Sequence, residues 1–265
     1  MSLKITILGC GNSSGVPAIG NYWGTCDPEE PKNRRFKCSL AVQSEQSTIV
    51  LDTGADFRSQ LNTFDITNLD GVFYTHEHSD HCHGIDDLRS FFFRNGRTPI
   101  PVFGRHSALN DIKERFGYLF EGGNHAYFYP VILNDTAFAP EQFGQSQRFQ
   151  DIEYIPFEMD HATCTTVGYR FDDISYCVDM KRLDQKALDV IKGSRIWIVD
   201  GAGYENPDND VHACLSQIYE YNEYVKAKEV YITCLSSMMD YQTLLNELPS
   251  GYFPAYDGLV FETEG

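Results

Sequence analysis

Short apolar runs with period-two alternation recur along the chain, and stretches of 3.6-residue periodicity separate them. KITILG (4–9), CSLAVQ (38–43), TIVLD (48–52), GVFYT (71–75) and PVFG (101–104) read as strands. So do IEYIPFEM (152–159), VGYRF (167–171), ISYCVD (174–179), RIWIVD (195–200), EVYIT (229–233) and GLVFE (258–262). Helical patterns cover 55–64, 85–93, 106–116, 182–191, 211–225 and 240–248. Roughly ten strands interleaved with helices predict an α/β layered fold of one domain over residues 1–265. Residues 16–37, rich in Pro, Gly and charge, predict a long loop, and loops of that length usually serve a site.

Composition narrows the class. Hydrophobic residues make up 42% of the 265, enough for a substantial core. No run is long and apolar enough to span a bilayer, and the start reads as a strand rather than a secretory signal. A soluble, cytoplasmic protein is the expectation. The eight cysteines form no CxxC pair, so reduced thiols are expected. The net charge of -17 opposes binding a long polyanion, which makes nucleic acid a poor partner. It leaves room for a small anionic substrate gripped by a local cluster of donors, and it does not exclude a homodimer.

The chemistry concentrates in THEHSDHCHG (75–84), where four histidines and Asp80 fall between positions 76 and 83. His76 and His78 lie two apart just past a strand, on one side in extended geometry. Asp80 and His81 follow where the chain turns into a helix. Imidazole and carboxylate suit zinc, manganese or iron, and this ordered HxHxDH pattern points to adjacent metal positions. Cys82 and His83 fall after the pattern and are not expected to ligate.

HEHSDH resembles the HxHxDH signature of the metallo-β-lactamase superfamily. LGCGNSSGVP (8–17), PKNRRFKCS (31–39), LDTGADFR (51–58), HCHGIDDLR (81–89) and PAYDGLV (254–260) resemble its phosphoribosyl cyclic phosphodiesterase subgroup. Ribonuclease Z is a more distant likeness. The resemblance implies a four-layer αββα sandwich, two divalent ions (zinc or manganese), and hydrolysis of a small or cyclic nucleotide-like phosphodiester. It implies that His76, His78 and His161 hold the first ion, and Asp80 and His81 the second, with Asp179 shared. Asp52 would brace the metal loop from behind. Asp80 would handle the proton of the attacking water, and His212 would protonate the leaving group. Ser13 and Ser14 in GNSSGVP, with Arg34, Arg35 and Arg89, are candidates for substrate contact.

One stretch departs from the family pattern. TCLSSMMDY (233–241) carries Cys234 where the last ligand histidine is expected, and Ser237 where a second histidine often occurs. Cys234 is expected to ligate as a thiolate, because the neighbouring motif is otherwise intact; the alternative is a buried thiol beside a weak second site. The cysteine cluster that holds a structural zinc in the phosphonate-pathway enzyme is missing, with only Cys26 in the long loop, so that zinc is not expected. The alternatives are a tRNA-processing nuclease, a thioester or lactam hydrolase, and a metal- or nucleotide-binding protein with little turnover.

Overall fold

A computed structural model describes residues 2–123 and 130–265. The first half builds one sheet from β1 (Lys4–Gly9), β2 (Ser39–Gln43), β3 (Thr48–Leu51), β4 (Gly71–Phe73), β5 (Ile100–Gly104) and β6 (Leu133–Ala137). The second half builds another from β7 (Gln147–Phe149), β8 (Ile152–His161), β9 (Cys164–Phe171), β10 (Ile174–Cys177), β11 (Ile196–Asp200), β12 (Glu229–Thr233) and β13 (Tyr252–Pro254). The last strand, β14 (Val260–Glu262), returns to pair with β1. The sheet orders are β14-β1-β2-β3-β4-β5-β6 and β13-β12-β11-β10-β9-β8-β7.

The strands over 4–9 and 229–233 keep their expected bounds, and the others shift by a few residues. The reading missed β6, β7 and β13. All three are short strands at or near a sheet edge, and LNDTA and QRF are too polar for the apolar signal that marks a strand. Residues 85–93 begin as a 3₁₀ turn and become α-helical only from Arg89.

Residue burial explains the layering. Strands β1, β3, β10 and β11 are buried along nearly their whole length, as expected where both faces are covered. Ile5, Ile7, Leu40, Val42, Ile49 and Leu51 of the first sheet meet Tyr169, Phe171, Tyr176, Trp197 and Val199 of the second in one continuous core. Phe73 anchors this interface, with ring centroids 4.7 Å from Phe103 and 4.9 Å from Tyr154. A separate cluster lies on the other face of the first sheet. There Leu8, Val50 and Val72 pack with α1 (Phe57–Thr63), α3 (Arg89–Arg94) and α4 (His106–Glu121), separated in sequence by the single turn α2 (Ser79–Cys82). Helices α5 (Gln185–Ile191), α6 (Leu215–Val225) and α7 (Tyr241–Glu247) follow strands of the second sheet. The result is the expected αββα sandwich. No described helix is long and apolar enough to cross a membrane, and all eight cysteines are free thiols.

This topology matters for function because the carboxyl ends of β3, β4, β8, β10, β11 and β12 lie at one edge. Just past or at those ends stand Asp52, His76, His161, Asp179, Asp200 and Cys234.

Candidate metal centre

The centre is assembled around one carboxylate oxygen. Asp179 Oδ2 lies 3.2 Å from His76 Nε2, 3.2 Å from His81 Nε2 and 3.7 Å from His161 Nε2. Asp80 Oδ2 is 3.3 Å from His81 Nε2. The His78 ring completes the cluster, with centroids 4.4 Å from His76 and 5.4 Å from His161. Ligand atoms of His76, His78, His161 and Asp179 all lie within 4.8 Å of one another, and so do those of Asp80, His81 and Asp179.

Hydrogen bonding decides which imidazole nitrogens face inward. The Thr75 hydroxyl donates to Asp52 Oδ2 at 2.8 Å, so it accepts from His76 Nδ1 at 2.9 Å. His81 Nδ1 donates to Asp52 Oδ2 at 2.7 Å, and His161 Nδ1 donates to the Val211 carbonyl at 2.9 Å. Three rings thus have their δ nitrogens fixed from behind, which leaves three ε nitrogens pointing at Asp179. His76 Nε2 is fully buried and close to Asp179, yet makes no hydrogen bond. A buried nitrogen without a donor or acceptor is costly. A divalent cation is the partner that such a donor set fits, and outer hydrogen bonds of this kind orient ligating histidines.

Asp52 has the bracing position that its motif implies. Fully buried, it also accepts the Thr75 backbone N–H at 2.8 Å. Its φ of 65° and the φ of 49° at Asp179 are left-handed conformations rare for non-glycine residues. Such strain clusters where function demands a side-chain direction. Close packing completes the loop: a Cβ on Gly54 would meet the Asp80 carbonyl oxygen at 2.0 Å.

Charges in the cluster shift one another strongly. Burial alone would lower His81, but the carboxylates of Asp179 and Asp52 outweigh it and raise its pKa well above the usual histidine value. Burial would raise Asp179, yet His81 and His76 hold it well below the ordinary carboxylate range. His76, buried and beside His81, is lowered. Without a cation the protonated His81 supplies positive charge beside Asp179, and a bound ion would replace it.

His212 joins the same edge by a route that its own motif does not show. Its Nδ1 donates to Asp200 Oδ2 at 2.7 Å, and its ring lies 5.1 Å from His161. Asp200 is fully buried and accepts two backbone N–H groups, from Met180 and Ala202, each at 2.8 Å. Burial lowers the His212 pKa, but Asp200 outweighs it and brings the value up to about 9. Asp200 was missed in the sequence, although IWIVD ends a strand on an acid just as YCVD nearly does.

Other predicted residues lie elsewhere. Cys234 is not among the converging ligand atoms: its Sγ faces Asp179 Oδ1 at 3.6 Å and Cys38 Sγ at 3.4 Å. Arg35 is 3% exposed, and its guanidinium donates to Asn33 Oδ1 at 3.0 Å and to the carbonyls of Ser236 at 3.0 Å and Met239 at 2.7 Å. These bonds tie the 31–37 segment to the loop after β12, and Arg35 also lines the open groove that holds Ser14 and Arg34. Ser13 and Ser14 are exposed, and Ser14 lines an open groove of about 770 Å³ with Arg34, Phe36 and Phe64. Arg34 stacks over Trp23, 4.8 Å from its ring centroid. Arg89 begins α3, 4.0 Å from Asp86. His83 is exposed and packs on Phe116, apart from the ligand groups.

Comparisons with known proteins agree with this geometry. The family model described as beta-lactamase superfamily domain matches residues 47–233. An octanoyltransferase of Porphyromonas gingivalis is 27% identical over 97% of this chain, and a ribonuclease Z of Phocaeicola vulgatus is 25% identical over 78% of it. The chain spans only 51% of the first and 61% of the second. Among solved structures, a diphosphatase from the PhnP family superposes with a TM-score of 0.86 at 27% identity, covering 99% of this chain and 97% of that one. The metallo-beta-lactamase fold protein YhfI from Bacillus subtilis gives 0.72 at 20% identity, covering 98% of this chain and 99% of the other, a likeness of fold alone. The matched span covers most of the chain and contains every converging ligand, so this protein belongs to the beta-lactamase superfamily and has the metallo-β-lactamase fold.

Proposed function

We propose that the protein hydrolyses a phosphodiester or phosphoanhydride bond in a small, nucleotide-like substrate. The observation that carries this reading is the convergence of three imidazole ε nitrogens on Asp179, with an Asp200-anchored His212 at the same edge. The likeness over nearly the full length to a diphosphatase from the PhnP family supports the phosphorus chemistry.

In this reading His76, His78, His161 and Asp179 hold a first ion, and Asp80, His81 and Asp179 hold a second, zinc or manganese. When bound, the ions supply the positive charge that activates a water at neutral pH and stabilises charge on the phosphoryl oxygens. The chain's own residues do the rest. Asp80 accepts a proton from the attacking water. His212, with Nδ1 fixed on Asp200, presents its other nitrogen as proton donor to the leaving oxygen. Ser13, Ser14, Arg34 and Arg89 contact the substrate beyond the reacting bond.

The test is a panel on metal-loaded protein: bis(p-nitrophenyl) phosphate, a dinucleotide diphosphate, a cyclic ribose phosphate, a precursor tRNA and an octanoyl thioester. Turnover of the small phosphorus substrates, abolished by chelation, is the expected result. Preferential cleavage of the tRNA would move the reading toward the ribonuclease Z relatives, against which the net charge of -17 argues. The likeness to the octanoyltransferase favours a second reading, acyl ester or thioester hydrolysis at the same centre, and preferential cleavage of the octanoyl thioester would establish it. No turnover of any substrate at full metal loading would refute the enzyme reading and leave a binding protein.

A further inference from the structure

The two halves of the cluster are unequal. The first position has four converging donors, from His76, His78, His161 and Asp179. The second has three, from Asp80, His81 and Asp179. Asp200 and His212 also converge on Asp179, but they pair with each other at 2.7 Å, and Cys234, which stands where the sequence pattern puts a further donor, has its sulfur engaged elsewhere.

Asp179 uses its two oxygens differently. Oδ2 faces His76, His81 and His161 at 3.2, 3.2 and 3.7 Å. Oδ1 accepts from Cys234 Sγ at 3.6 Å. On its far side that sulfur lies 3.4 Å from Cys38 Sγ, which is itself 3.3 Å from the Gly11 carbonyl and 3.6 Å from Thr233 Oγ1. Both thiols are buried, at 1% and 3% exposure, so neither is free to swing. Cys234 also sits in a left-handed backbone conformation, φ 58°, which sets where its Cβ points.

We infer that Cys234 is a positioning residue and not a metal ligand. Its S–H holds Asp179 Oδ1, so that only Oδ2 is presented between the two positions. The Cys38 thiol holds Cys234 in turn. The second position is then an all-nitrogen and oxygen site of three donors, looser than the first and exchangeable. Its donors suit manganese or iron as well as zinc, whereas a thiolate would bias it toward zinc. This inference rests on the metal-centre reading above.

Cobalt separates the two questions. Metal-free protein is titrated with Co²⁺, following visible and near-ultraviolet absorption and measuring bound metal by elemental analysis. The expected result is two successive phases with d–d bands and no thiolate-to-cobalt charge-transfer band in either. Cys234→Ala should weaken the second phase about tenfold, the usual scale for loss of an outer-sphere partner. Cys234→Ser, which restores a donor to Asp179, should recover it. A charge-transfer band that grows with the second equivalent and vanishes in Cys234→Ser would overturn the inference, and so would two phases of equal strength. The wild-type spectrum decides even if a variant fails to fold. Failure to bind cobalt at all would instead overturn the metal-centre reading itself.

Discussion

Replacing Asp200 by Asn tests the proposed acid most directly. The carboxylate lies 2.7 Å from His212 Nδ1 and is fully buried, so its charge is weakly screened. It holds the His212 pKa up at about 9. Without it burial remains and the imidazole should titrate at or below the ordinary histidine value of about 6.5. At pH 8 roughly nine-tenths of His212 carries the proton in the wild type, against roughly 3% or less in the variant, which predicts a loss of kcat/KM of about 30-fold or more. The difference should shrink as pH falls and the variant's imidazole gains its proton. Bound cations lower both values together, so the displacement between the two profiles is the measured quantity. The assay is a pH–rate profile for bis(p-nitrophenyl) phosphate, with metal content measured alongside. The variant also puts an amide near the Met180 N–H, at a stability cost of about 1–3 kcal/mol. A uniform loss at every pH with full metal occupancy, or an unmoved basic limb, would refute the argument.

Three further outcomes follow from the same geometry. Gly54→Ala places a methyl 2.0 Å from the Asp80 carbonyl oxygen, so it should displace the 79–82 turn and lower bound metal, as elemental analysis can show. Arg35→Ala removes a buried cation with its four hydrogen bonds, to Cys26 Sγ, Asn33 and the carbonyls of Ser236 and Met239, and should cost roughly 3–5 kcal/mol. The melting temperature should fall by about 10 °C, with KM little changed, and Arg35→Lys should not rescue it, because an ammonium lacks the fork. In metal-free protein, His81 is raised by Asp179 and Asp52 against burial, so its contribution is complete below about pH 6.5 and is lost as pH rises through the raised value. Asp179 is lowered by His81 and His76, so its contribution is present above about pH 4 and lost below it. Thermal melts should show a plateau between these limits, and Asp52→Asn should shorten its alkaline side.

Much of this was legible in one dimension. Alternation and periodicity located the central strands and most helices, because buried strands are apolar along their whole length. Three of the four edge strands escaped, since an edge such as LNDTA is polar on the side that meets water. The local part of the metal loop, His76 to His81, was readable because its ligands are neighbours in sequence. His161 and Asp179 could be named only through resemblance to a family, because a lone histidine or a strand-ending acid carries no spacing signal.

Tertiary structure alone decided the rest. Asp52, Thr75 and the Val211 carbonyl choose which nitrogen of each ring faces inward, through contacts set by sheet packing. Asp200 reaches His212 because β11 delivers it to the same edge. Arg35 ties two loops together from a buried position, through contacts that its own motif does not show. Cys234 occupies the position of a ligand in the sequence, but its backbone conformation and the Cys38 thiol turn its sulfur to the other oxygen of Asp179. The sequence by itself determined which residue types were available and which elements carried them. The direction of each donor depends on backbone angle and long-range packing, and a linear pattern holds neither.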